Sequence, residues 1–176
     1  MHSMITKAII QMSQERVEFE NKRFANKKEF CVDEQKDFIV EQIKRNGYYV
    51  IENYYNSKQC EQLINEIDRV HELYKGTEYL QVDTVFSDHR IFGAEVASDL
   101  INDFHTDQYL LDIGSRHLGC QLVNSSTLAA KLNFANNNLG SGGGWHRDAH
   151  HFQFKAIIYL SDVSIDNGPF QVIDAT

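Results

Sequence analysis

The sequence predicts an α+β domain, with helices first and an antiparallel β-sandwich or barrel after them. Three observations carry this. From Asp33 to Gly76 apolar residues recur mostly at helical spacing, and from Tyr79 the period shortens to two. After Gly119 only strand signals remain, and the last two runs are joined by Asp166-Asn167-Gly168-Pro169, where Asn-Gly is a strong turn former.

Residues 1–32 read as a charged helical extension, with Ile5, Ile9, Met12, Phe19 and Phe24 at loose helical spacing. Asp33 is placed to cap a helix through Phe38, Ile39 and Ile43 that ends at Gly47. Tyr48-Tyr49-Val50-Ile51 is aromatic and β-branched, hence a short strand. Ser57 then caps a helix whose Cys60, Leu63, Ile64, Ile67, His71 and Tyr74 form a core-facing stripe closing at Gly76. Leu80, Val82, Thr84 and Phe86 alternate as a strand does. One helix is expected from Ser98 to His117, ending at Gly119. Strands follow at residues 121–124, 127–134, 152–160 and 170–173. No repeat or linker divides the chain, so residues 1–176 form a single domain.

Composition excludes several classes. The 176 residues carry a net charge of −8, which offers no basic footprint for nucleic acid or an anionic membrane. No apolar run approaches the roughly 18 residues that span a bilayer, and the N-terminus lacks the pattern of a secretory signal. Three widely spaced cysteines, Cys31, Cys60 and Cys120, suit reduced thiols in a cytoplasmic protein and form no zinc framework.

The chemistry concentrates in Gly142-Gly143-Gly144-Trp145-His146-Arg147-Asp148. A glycine-rich loop enters what reads as a strand, and in a strand residues i and i+2 share a face. The His146 imidazole and Asp148 carboxylate then converge, supplying two thirds of the facial triad that holds non-haem Fe(II) and leaves positions open. The bare His-x-Asp pattern is weak, since His105-Thr106-Asp107 repeats it. That second pair falls in helical sequence, where i and i+2 diverge by roughly 200°, so it reads as a solvated helix face. His150 and His151 read as surface or mouth-lining residues, and Trp145 as a core aromatic.

Together these residues resemble the phytanoyl-CoA dioxygenase family of Fe(II)/2-oxoglutarate-dependent oxygenases. The resemblance runs through Gly47-Tyr48-Tyr49-Val50-Ile51, Ser87-Asp88-His89-Arg90-Ile91-Phe92 and Gly144 to Asp148. It continues through Phe152-Gln153-Phe154-Lys155-Ala156-Ile157-Ile158-Tyr159-Leu160 to Asn167-Gly168-Pro169-Phe170, covering residues from about 33 to 173. It implies a double-stranded β-helix (jelly roll, cupin-like) with helices packed outside one sheet. It also implies hydroxylation of a C–H bond of a small-molecule substrate, with O2 and 2-oxoglutarate consumed. His146 and Asp148 would be metal ligands, and the retained carboxylate separates the chain from halogenating relatives, which have a small residue there.

The family places cosubstrate-binding residues at positions matching Lys131 and Asn133, and Lys155 is a further candidate for a carboxylate. Its distal His and 2-oxoglutarate-binding Arg follow the Asn-Gly-Pro strand, beyond Thr176, so the domain is expected to lack its C-terminal strands. A jelly-roll binding module without catalysis is the alternative reading. A cupin isomerase fits less well, since the early His-x-His pair is missing.

Overall fold

The computed structural model describes residues 30–136, 144–146, 148, 153–165 and 169–173. The expected helix at 5–28, the Asn167-Gly168 turn, His150 and His151 lie outside the described residues.

Helix α1 spans Glu34–Asn46 as its caps dictate. Asp33 accepts from the Lys36 backbone N–H, and Gly47 closes the helix in the left-handed region at φ 86°. Helix α2 spans Ser57–Leu73, and its cap is Asn56, one residue earlier than the sequence suggests. The Asn56 side chain accepts from Gln59 N, and the Gln59 side chain accepts from Asn56 N. This reciprocal box satisfies two orphan donors where Ser57 would satisfy one.

The single helix expected from Ser98 to His117 is two. Helix α3 covers Asp99–His105, capped by Ser98, and α4 covers Gln108–Leu118, ending at left-handed Gly119. Asp107 causes the break. Its carboxylate accepts from Tyr109 N and Leu110 N, and from the Tyr54 hydroxyl at 2.7 Å. Asp107 is therefore a cap and not a solvated helix face. His105 is also engaged, sharing a 2.9 Å hydrogen bond with Thr127 Oγ1.

One antiparallel sheet of order β1-β2-β3 is described, formed by Leu80–Val82, Asp88–Phe92 and Leu128–Leu132. The β1 run is shorter than its alternation suggests, because the chain turns at Asp83. That carboxylate accepts from both Ser87 N and Ser87 Oγ, and Phe86 adopts φ 57°. His89 faces Lys131 across one side of β2, and Ile91 faces Ala129.

Residues 48–51, 121–124, 153–160 and 170–173 form no strand ladder with described residues. Their side chains favour strands, but a strand exists only through a neighbour's N–H and C=O groups. The α+β class thus stands, with a small sheet in place of a visible jelly roll.

Two apolar clusters hold the layers together. In the first, Val70 of α2 and Ile91 of β2, both 0% exposed, join Leu63, Ala94, Ile101 and Ala129. In the second, Ile39 and Val40 of α1 meet Ile113 of α4. Charges lock that second pair of helices: Lys36 reaches Asp112 at 2.9 Å, while Arg116 reaches Asp112 at 3.1 Å and Asp37 at 3.0 Å. The hydrogen bond from Lys36, reinforced by Arg116 and opposed by burial, holds the Asp112 carboxyl below the usual range. The run after the glycine loop touches both clusters, Phe154 against the second and Leu160 against the first.

Phe154 can approach α4 because residue 114 is glycine. A Cβ there would stand 2.6 Å from Phe154 Cδ1 and 2.7 Å from Leu122 Cδ1. Alanine in a helix interior normally gains about 1 kcal/mol over glycine, whereas overpacking costs roughly 1–3 kcal/mol. Gly114→Ala should therefore lower the thermal midpoint by about 2–4 °C. A raised midpoint would show that Phe154 and Leu122 withdraw freely.

His117, in the last turn of α4, has a buried Nδ1 without a hydrogen-bond partner among the described residues. Burial, aided by Lys44, pushes its pKa down. A base depressed in the folded state adds stability above its unfolded pKa, near 6.5, and that contribution is lost as pH falls through the folded value. Urea unfolding from pH 7.5 to 5 should show this loss in the parent chain and a flatter profile in His117→Phe. Equal profiles would exclude a buried neutral imidazole.

Candidate metal centre

Gly144, Trp145 and Asp148 are in bends and His146 is in no strand, in place of the expected strand, yet the two predicted side chains come together. His146 Nε2 lies 3.1 Å from Asp148 Oδ1. His146 Nδ1 lies 2.8 Å from the Gly144 carbonyl, which can only accept, so Nδ1 carries a proton. Gly144 sits at φ 109°, a region that favours glycine, and this turns its carbonyl back under the ring. With Nδ1 so committed, the Nε2 lone pair and Asp148 Oδ1 face each other. Two such acceptors are a donor pair suited to a shared cation.

The spacing suits a metal. Two ligand atoms about 2.1–2.2 Å from one ion at right angles stand about 3 Å apart. Asp148 Oδ2 points to a different partner, the ammonium of Lys155. The Lys155 hydrogen bond, against a small opposing effect of desolvation, holds the Asp148 carboxyl below the ordinary range, and His146 adds to the shift. The carboxylate is thus fully ionised at neutral pH. The three side chains are each roughly half-exposed, as a site at a mouth must be.

Other predicted positions lie elsewhere. Lys131 is on the sheet face covered by α2, where its ammonium pairs with Asp68 at 2.5 Å. Asn133 follows on that face, and its side chain donates to the Phe86 carbonyl at 3.5 Å. Neither shares the His146–Asp148 neighbourhood by these contacts. The registry of β3 explains why: Ala129 enters the helix-side core, and Lys131 and Asn133 follow it at a period of two. Lys155 is at the site, where its ammonium pairs with Asp148. Trp145 is 66% exposed in the bend and belongs to no core cluster.

Sequence reasoning missed Asp88 and Arg90 as a unit. They lie on the sheet face opposite α2, where Arg90 Nε and Nη2 donate to Asp88 Oδ2 at 2.9 and 2.8 Å. The two-residue spacing on a strand was the available signal. Phe92, Leu128 and Leu132 share that face and are exposed. Among the described residues no cluster of three His, Cys, Asp or Glu surrounds a point, and no helix is long and apolar enough to cross a membrane.

If Lys155 lowers the Asp148 pKa as its contact implies, Lys155→Ala should move that pKa up toward the usual carboxylate value. Carboxyl 13C chemical shifts followed through an acid titration read this directly. An unmoved midpoint would remove Lys155 from the site.

A family model described as phytanoyl-CoA dioxygenase matches residues 43–175, a span that contains the sheet, α2 to α4 and the His146–Asp148 pair. No curated protein and no solved structure matches the chain.

Proposed function

The chain belongs to the phytanoyl-CoA dioxygenase family, and from that premise we propose that it is an Fe(II)- and 2-oxoglutarate-dependent dioxygenase hydroxylating a C–H bond of a small molecule. The single observation that carries this reading is the 3.1 Å approach of His146 Nε2 to Asp148 Oδ1. Family membership supports an oxygenase, and the donor pair supports the metal.

His146 Nε2 and Asp148 Oδ1 would hold the iron, with a third protein ligand from outside the described residues. The bound iron supplies the activation of O2, at the expense of 2-oxoglutarate, that oxidation of an unactivated C–H bond requires. The chain's own residues prepare the site. The Gly144 carbonyl holds the His146 tautomer, so that Nε2 is the lone-pair nitrogen. Lys155 occupies Asp148 Oδ2, which leaves Oδ1 as the coordinating oxygen and favours one-point ligation. One-point ligation keeps more of the coordination sphere for small molecules.

The sheet supports the proposed jelly roll. Helix α2 covers one face, whereas on the other Phe92, Leu128 and Leu132 are exposed around the Asp88–Arg90 pair. A second sheet packs on such a face at about 10 Å. Arg90 and Asp88 would then lie inside the barrel.

Asp148→Ala in the complete protein removes a ligand and the charge that balances Fe(II). Succinate formation from 2-oxoglutarate should fall by about 100-fold or more, as losing a metal ligand costs no less than losing a residue that merely orients one. Fe(II) binding measured by calorimetry should weaken in parallel. Undiminished succinate formation would reject the ligand role. A parent protein that binds neither Fe(II) nor 2-oxoglutarate would select a binding module on the same scaffold.

A further inference from the structure

Away from the metal pair, two histidines from different elements meet nitrogen to nitrogen. His71, in the last turn of α2, places Nε2 2.8 Å from Nδ1 of His89 in the middle of β2. Their ring centroids are 5.1 Å apart and the planes are tilted by 32°. An imidazole nitrogen lies a little over 1 Å from its ring centroid, so centroid, nitrogen, nitrogen and centroid lie nearly in line. That alignment decides between two chemistries. Two nitrogens chelating one ion at about 2.1 Å must aim at a point off the line between them, which would bring the centroids to within about 4.4 Å of each other. The observed separation is that of an N–H···N hydrogen bond.

The rest of the network gives the bond a direction. His89 Nε2 lies 3.3 Å from the Phe86 carbonyl, which can only accept, so Nε2 carries the proton and Nδ1 is the acceptor. His71 Nε2 is therefore the donor. Its Nδ1 lies 3.5 Å from Glu72 Oε1, which favours a proton there as well. The neutral pair already makes this bond, and one added proton, at His71 Nδ1 beside Glu72, would leave it intact. A second would put two N–H groups head to head at 2.8 Å and abolish the bond.

We propose that His71 and His89 form a latch joining helix α2 to the sheet, closed while at least one of the facing nitrogens keeps its lone pair and opened when both rings are protonated. The surroundings favour one positive charge and not two. Glu72 faces His71 but is shared with Lys75 at 3.3 Å. Lys131, directly across from His89 on β3, is paired with Asp68 of α2. Asp83, in the β1–β2 turn, is the remaining carboxylate in the field of His89 and is committed to Ser87. Val82 on the β1 side is apolar. Opening the latch unties the joint beside Val70 and Ile91, so acid loosens the docking of α2 while leaving each helix capped.

Two measurements on the full chain test this. In 15N-labelled protein at pH 7.5, a scalar coupling across the hydrogen bond should connect His71 Nε2 and His89 Nδ1. It should vanish below about pH 5, where free imidazoles are protonated, with amide exchange in residues 66–73 and 88–92 rising in the same step. Second, the unfolded chain takes up one more proton than the folded pair accepts. The unfolding constant should then rise up to about tenfold more per pH unit on acidification than in His71→Gln, whose amide can turn its oxygen toward a protonated His89. Subtracting the two profiles removes the contribution of His117, common to both. Absence of the coupling at pH 7.5, or parallel profiles, would overturn the latch. So would stoichiometric Ni(II) binding lost in His71→Gln, since that would make the pair a chelate. If His71→Gln fails to fold, the coupling and its pH dependence in the parent chain decide alone.

Discussion

The position of the candidate metal centre depends on one anchored run of chain. Residues 153–160 have no strand ladder among the described residues, yet they are fixed at two points, Phe154 and Leu160. Phe154 is wedged against α4 where Gly114 leaves room, and Leu160 is set into the core beneath α2. Lys155 projects next to the first anchor and reaches Asp148. Packing in the helical layer therefore sets the site's geometry through a single backbone step. A cluster of apolar contacts is rigid because interiors are close-packed, and the exposed charges of the site borrow that rigidity.

The two apolar clusters divide the labour. The α1–α4 cluster is small, with three fully buried members, and it is reinforced by the charges of Lys36, Asp112, Arg116 and Asp37. Burial of Arg116 and Lys36 to this degree works only because each cation has two carboxylates, so that desolvation is offset by more than one partner. The larger cluster has no such network at its centre, and Val70 on Ile91 carries it by contact alone. Polar groups close its perimeter instead, at Asp83 with Ser87, at Asp68 with Lys131 and at the two histidines.

What the sequence revealed follows the range of each interaction. Helix ends were legible because Asp33, Gly47 and Gly119 act within a turn of their own position. The convergence of His146 and Asp148 was legible because two residues separate them, although bends and not a strand achieve it. Lys131 was not legible: its partner Asp68 is 63 residues away, and the face it occupies depends on how β3 registers against β2. Strand propensity at 48–51 and 121–124 found no ladder partner among the described residues, because pairing is decided by distant chain. The family resemblance added what spacing could not, and the match over residues 43–175 bears it out.

Asp107 shows how little information a change of direction requires. The residues from Asp99 to Leu118 carry a helical pattern throughout, and as one rod they would extend about 30 Å. A single carboxylate competes for the backbone amides that such a rod would use, while Tyr54 holds it in place from another part of the chain. The corner is thus written in one side chain and endorsed by a phenol 53 residues away. A lineage could straighten or bend this part of the molecule by one substitution, moving everything after Gly119 relative to the first helices. Loop variation is usually credited with reshaping the entrance of such proteins. Here the same freedom is lodged in a helix, where it would be inherited together with the core.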